Sequence, residues 1–308
     1  MMYPRLFSLR ALSFAFFMFV LSSFEACSQT TIDSLFFHTD NDTDDKPLSI
    51  ISDSIPQIEK DTLRVIQWNI GHFSMGKSSY SRVTDKVFFQ RVQSFEELLN
   101  SNDADIAAIS EYSVYFTNTK QHPQCLADTL LFKNYPYYYC GNNGRIRGYS
   151  LNAVFAKNEL FDFHTVDFES NKTATITHTT KIKATDYYYV ESYFIWNNHI
   201  ITLICTHLAF DNNNDSVVIN QMKELIKVTQ DDDHVIICGD FNSSNNYSIF
   251  TENGFTVANN GEWGTYPSTN PSQPLDNIIV KGISIKKASA IPSFLSDHLP
   301  LICELTLE

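Results

Sequence analysis

Beyond residue 62 the chain alternates short apolar runs with two longer stretches of helical period. Leu63 to Ile70, Asp105 to Ser110, Leu151 to Ala156, Asp186 to Trp196, Ile200 to Cys205, Val235 to Cys238, Ile278 to Val280 and Leu299 to Leu305 carry strand patterns bounded by turn formers. Thr84 to Asn100 predicts a helix, with Val87, Phe88, Val92, Phe95, Leu98 and Leu99 on one face and Thr84 as N-cap. Asp215 to Thr229 predicts a second, with Val218, Met222, Leu225 and Ile226 facing inward. The first helix joins two strands, which predicts a parallel pair. Asn197-Asn198 between two strand patterns predicts a tight hairpin. Segments 112–145 and 258–274 are rich in loop and turn residues. Hairpins together with a strand-helix-strand unit exclude a purely parallel doubly wound sheet. The expected solution is two mixed sheets packed face to face with helices outside.

The chain ahead of this body has a different character. Arg5 and Arg10 precede the apolar run Ala11 to Leu21, which is short for a bilayer span and suits a targeting signal. Cys27 follows Ser23-Phe24-Glu25-Ala26, a pattern similar to a bacterial lipoprotein signal in which the cysteine is lipidated. Ordinary cleavage near Ala26 is the alternative. The expected organisation is a signal peptide over 1–26, a polar linker over 27–61 and a folded domain over 62–308. Export follows, to the periplasm or cell surface as a membrane-anchored lipoprotein, or otherwise as a periplasmic or secreted protein. The run Asp40-Asn41-Asp42-Thr43-Asp44-Asp45 lacks the glycine and closing glutamate of an EF-hand loop and reads as solvated linker. Cys205, Cys238 and Cys303 fall in strand patterns and are expected as buried small hydrophobes. Cys125 and Cys140 lie in loop-rich sequence, where a disulfide and two thiols both stay open. A formal net charge of −13 argues against a broad grip on a nucleic-acid backbone. It leaves room for a nuclease with a few local cations.

The chemistry lies at the strand ends. Asn69, Glu111, His207 and the pair Asp240 and Asn242 close four strand patterns, while Asp276 and Asp297-His298 open two more. Each has a bland reading as a turn former. If the last two strands run opposite to the other four, however, all six positions fall on one rim. Four carboxylates gathered there require a cation or a proton to offset their repulsion. Oxygen and amide donors favour a hard cation, Mg2+ with Mn2+ or Ca2+ as alternatives. Two histidines add acid-base capacity. The combination suits metal-assisted hydrolysis of a phosphate ester. Gly239, ahead of Asp240, allows close approach of another backbone or a ligand.

Gln67-Trp68-Asn69-Ile70, Ser110-Glu111, Thr206-His207, Gly239-Asp240-Phe241-Asn242, Leu275-Asp276-Asn277-Ile278-Ile279 and Ser296-Asp297-His298-Leu299-Pro300 resemble, in order, the motifs of the endonuclease/exonuclease/phosphatase superfamily. The resemblance implies an α+β fold, a four-layer α/β/β/α sandwich of two mixed β-sheets flanked by helices. It implies that Asn69, Glu111 and Asp297 hold or orient Mg2+, and that Asp276 orients His298. Asp240 and Asn242 would position the nucleophile and phosphoryl oxygens, and His207 would bind a phosphoryl oxygen or protonate the leaving group. Thr206-His207 differs from the tyrosine usual in abasic-site endonucleases. Asn152, Arg145, Arg147 and His72 are candidate substrate contacts; Arg145 and Arg147 also fit a solvated turn, and His72 a plain loop histidine. The implied activity is magnesium-dependent hydrolysis of a phosphodiester or phosphomonoester outside the cytoplasm. An exported nuclease acting on DNA or RNA is the alternative. A catalytically silent surface-binding lipoprotein would have lost a core position, and none is lost. The expected partners are a phosphate-ester substrate and a membrane reached through Cys27, with no protein partner.

Overall fold

The computed structural model describes residues 56–73, 85–112, 115–116, 123–124, 134–141, 151–172, 187–210 and 216–307. In chain order the strands are β1 (Gln57–Ile58), β2 (Leu63–Asn69), β3 (Ile106–Tyr112), β4 (Tyr115–Phe116), β5 (Pro123–Gln124), β6 (Tyr137–Gly141), β7 (Leu151–Ala156) and β8 (Phe161–Asp167). They continue as β9 (Tyr188–Trp196), β10 (His199–His207), β11 (Val235–Asp240), β12 (Thr256–Val257), β13 (Asp276–Lys281), β14 (Ile283–Ala290) and β15 (Leu301–Leu307). The helices are α1 (Asp85–Ser101), α2 (Ser216–Val228) and the single turn α3 (Ser248–Thr251).

Two mixed sheets carry the fold. One runs β1-β9-β10-β11-β13-β12, with β8 also paired to β9; the other runs β14-β15-β2-β3-β7-β6. A separate two-stranded ribbon joins β4 and β5. β2 and β3 are parallel, as the helix between them requires, and so are β10 and β11 around α2. β13 runs antiparallel to β11, and β15 antiparallel to β2. The last two strand entrances therefore join the four strand exits on one rim, which is the condition the sequence had set.

Alternation of side chains fills the space between the sheets. Val65, Ile106, Val154, Cys205, Leu203, Ile236, Cys238, Ile278, Leu301 and Cys303 are buried in one cluster. Their burial excludes water from both inner faces, at roughly 25 cal/mol per Å² of apolar surface removed. The Cys205 thiol lies against the carbonyls of Ile109 and Ala153 on the other sheet (3.7 and 3.6 Å), and burial pushes its pKa up to about 12. Such a thiol is inert rather than nucleophilic. On the outer face of the first sheet, Val217, Val218, Met222 and Leu225 of α2 pack with Ile204, Val235, Ile237 and Ile279. On the second sheet, Phe95 of α1 meets Trp68, ring centroids 5.6 Å apart. Helix, sheet, sheet, helix is the expected layering.

The Asn197-Asn198 turn has φ of 45° and 66°, the left-handed pair that a two-residue hairpin demands. Several elements lie outside the sequence expectation, the two-residue strands β4, β5 and β12 and the single-turn α3 among them. β1 lies within the segment expected to be linker and pairs in parallel with β9 at Ile195 and Trp196. β8 and β14 were not foreseen. Most of their residues are partly exposed, so no continuous apolar run marks them. Cys140 is buried; Cys125, Thr84 and residues 1–55 lie outside the described residues.

Candidate active site

Strand register gathers the rim residues. Asp240 is opposite His207 on one side and Asp276 on the other. On the facing sheet, Asn69 is opposite Ser110. Side chains then stitch the two sheets together. Asn69 Nδ2 donates to Asp240 Oδ2 at 2.9 Å, Gln67 Nε2 to Asp276 Oδ1 at 3.3 Å, and Ser110 Oγ to the Thr206 carbonyl at 3.2 Å. Gly239 is needed for the closeness of β10: a Cβ there would sit 2.6 Å from the Thr206 carbonyl oxygen. The close neighbour is protein backbone.

Asp276 and His298 form a buried dyad. Asp276 Oδ2 accepts from His298 Nδ1 at 2.8 Å, which leaves Nε2 directed toward Asp240 Oδ2, 3.7 Å away. Burial works against the imidazolium, but Asp276 and Asp240 outweigh it and the His298 pKa is pushed up to about 10. Asp240 is the converse. Burial raises its carboxyl above the ordinary range and Asp276 adds to this, while His298, His207 and the Asn69 bond oppose. It is a carboxylate made more basic than usual beside an imidazole that stays charged. The Tyr266 ring lies 4.8 Å from the His298 ring, and Trp68 Nε1 donates to the His298 carbonyl at 3.0 Å.

His207 and Asn242 build the adjoining wall. Asn242 Nδ2 lies 2.9 Å from the Leu208 carbonyl and 3.0 Å from His207 Nε2, and its backbone N–H donates to Asp240 Oδ1 at 2.9 Å. Its φ of 48° is tolerated by asparagine. His207 Nε2 is 3.6 Å from Asp240 Oδ2.

The third part is Glu111 with Asp297 and His72. Glu111 occupies an irregularity in the pairing of β3 with β7 and has φ of 52°. Its Oε2 is 2.9 Å from His72 Nε2. Burial would raise the Glu111 carboxyl; the charge and hydrogen bond of His72 override this and hold it well below the carboxylate range. His72 shifts upward because Glu111 outweighs burial, with Asp297 contributing. His72 sits in a left-handed run, Gly71, His72 and Phe73, with φ of 53°, 56° and 54°. Each non-glycine residue there costs roughly 1–2 kcal/mol. Asp297 Oδ1 accepts from Ser296 Oγ, and Ser296 Oγ also lies 2.7 Å from the Asn69 carbonyl.

Two groups here bear on metal binding. Asp240, Asp276 and His298 bring ligand atoms within 4.8 Å of one another. Yet both oxygens of each aspartate already accept hydrogen bonds, from Asn242 and Asn69 and from Gln67 and His298. Glu111 and Asp297 are partly exposed carboxylates and fit an ion better. Asn69 spans Asp240 and the Gly71 amide, so it orients both.

The structure thus brings together Asn69, His72, Glu111, His207, Asp240, Asn242, Asp276, Asp297 and His298. Asn152 is buried near this edge, its amide on the Tyr188 carbonyl at 2.9 Å, and its Oδ1 has no hydrogen-bond partner among the described residues. Arg145 and Arg147 lie outside the described residues. The sequence reading assigned no role to Gln67, Ser110, Ser296 or Tyr266. The first three sit inside the quoted motifs, where proximity was the available signal. Tyr266 reaches His298 from the turn-rich 258–274 segment, and no local pattern marks that contact.

A rim of this composition on a sheet-on-sheet sandwich defines a phosphodiesterase- or nuclease-type protein. A family model described as the Endonuclease/Exonuclease/phosphatase family matches residues 66–298, and the chain belongs to that family. Solved structures agree on the fold. An endonuclease/exonuclease/phosphatase from Beutenbergia cavernae is 15% identical with a TM-score of 0.61, over 80% of this chain and 72% of that one. The human Nocturnin catalytic domain with bound sulfate is 16% identical with a TM-score of 0.58, over 82% and 96%. TDP2 of D. rerio complexed with a single-strand DNA product is 13% identical with a TM-score of 0.57, over 80% and 100%. No curated protein sequence matches the chain significantly.

Proposed function

We propose that this protein is an exported, divalent-metal-dependent hydrolase of phosphate esters. The observation that carries the reading is the buried Asp240 carboxylate, made basic and set between the imidazoles of His298 and His207. Asp240 Oδ2 accepts a proton from the attacking water. His298, held by Asp276 through Nδ1, presents Nε2–H to a phosphoryl oxygen as negative charge develops there. Asn242 and His207 line the opposite side and fix the phosphoryl group for in-line attack. Glu111 and Asp297, with Asn69 beside them, would hold a divalent cation, which would supply positive charge to offset the charge developing on the phosphate.

The relatives support a phosphoryl ligand: one carries sulfate and another a DNA product. A phosphodiester in a single-stranded nucleic acid is therefore included among the substrates. The signal-like segment and Cys27 support export and lipid anchoring. The test is hydrolysis of bis-p-nitrophenyl phosphate and of a single-stranded oligonucleotide, with Mg2+ and with chelator. The reading expects turnover with the ion and none in chelator. Turnover that survives chelation contradicts it.

A further inference from the structure

His72 and Glu111 meet through two separate stretches of left-handed backbone, one after β2 and one in β3. An ordinary surface ion pair between side chains this long needs no such arrangement. The turn carrying His72 is also pinned on both sides. The Gly71 amide donates to Asn69 Oδ1 at 3.0 Å, and Arg91 Nη1 donates to the Phe73 carbonyl at 2.5 Å. The Phe73 ring packs edge-on against Phe95 and Tyr112. The result is an imidazole of fixed position, 12% exposed, with Nε2 aimed at Glu111 Oε2. Strain held in place by packing is a mark of a site that needs a fixed geometry.

The distance is informative. His72 Nε2 and Glu111 Oε2 are 2.9 Å apart. Adjacent ligands around an ion with bonds of about 2.1 Å stand about 3 Å apart. Asp297 is tied to the same turn through Ser296, whose Oγ bonds both Asp297 Oδ1 and the Asn69 carbonyl, while Asn69 Oδ1 holds the Gly71 amide. We propose that a divalent ion takes the place of the proton between His72 Nε2 and Glu111 Oε2, the proton leaving to solvent, so that neutral Nε2 and the carboxylate both bind the ion and the ion-binding set is a mixture of nitrogen and oxygen. Such a set shifts preference toward borderline transition ions such as Co2+ over Mg2+, because imidazole suits them and Mg2+ favours oxygen. This rests on the metal-dependent reading above and narrows it to a class of ion.

The test uses the full chain stripped of metal. Pulsed EPR of the Mn2+-loaded wild type reads nitrogen coupling directly, and His72→Asn removes the proposed donor. Co2+ and Mg2+ affinities are measured by titration in both proteins, with a thermal melt to confirm folding. The expected result is nitrogen coupling in the wild type that is lost in His72→Asn. Co2+ should bind at least about tenfold more weakly in the variant, while Mg2+ changes little. Wild type without nitrogen coupling, coupling that persists in His72→Asn, or equal losses for Co2+ and Mg2+ would each overturn the assignment and leave the hydrolase reading standing. A wild-type chain that binds no divalent ion would overturn both.

Discussion

The first sheet carries histidines and aspartates at both of its ends, and only one end forms a site. At the far end, His199 and His234 lie with ring centroids 4.6 Å apart, and Asp232 accepts from the Thr202 hydroxyl at 3.1 Å. On the outer strand β8, His164 pairs with Asp162, with side chains 50% and 42% exposed. Water solvates these groups and screens their charges. At the rim, Asp240, Asp276 and His298 are buried, and their hydrogen bonds cross from one sheet to the other. The same residue types therefore act differently according to burial and shared partners. Residue identity nominates a site, and enclosure between the sheets turns it into a catalyst.

Breaking the rim should have the largest effect. Asp240→Asn or His298→Gln is expected to lower kcat by roughly 10²–10⁴-fold, with the melting temperature showing that the chain still folds. Asp276→Asn comes next, because it removes the partner that orients His298 and supports its charge. The wild-type imidazolium has its pKa pushed up to about 10, so it keeps its charge until the pH approaches that value and activity that needs the charge is lost above it. In Asp276→Asn that alkaline loss of activity should move to lower pH, as a pH–rate profile would show. A profile that does not move would mean that Asp276 plays no part in the charge state of His298.

Gly239→Ala probes the approach of β10 and β11 that sets Asp240 beside His207. Its Cβ would stand 2.6 Å from the Thr206 carbonyl oxygen and 2.7 Å from Thr206 Cγ2. A stability loss of about 1–3 kcal/mol in denaturant is expected. The smallest effect belongs to the exposed outer strand. His164→Ala, on the outer strand, should leave activity unchanged and stability within about 0.5 kcal/mol. A large loss of activity there would erase the contrast between the enclosed rim and these exposed groups.

Much of this was legible because strand ends in a sandwich have few places to go. Buried apolar runs fix the strands, and the parallel pair around α1 fixes two exits on one rim. The residues that close or open those runs, from Asn69 to His298, must then share an edge. Edge strands were less legible. β8 and β14 have one partner each in their sheets and are largely half-exposed, so little apolar pattern is imposed on them. The meeting of Tyr266 with His298 was illegible for another reason, since it depends on how the 259–275 turn is tied down. That turn is held by Ser268 N on the Asp297 carbonyl at 2.6 Å and Leu299 N on the Thr265 carbonyl at 2.7 Å. No periodicity encodes such ties. The His72–Glu111 contact depends likewise on positive φ at residues other than glycine, which composition does not announce.

The most direct measurement of the claim that Asp240 and His298 work as one unit is a double-mutant cycle on phosphodiester hydrolysis. Strong coupling predicts that Asp240→Asn combined with His298→Gln loses little more activity than either change alone. Losses that multiply would contradict the shared site and return the two residues to independent roles.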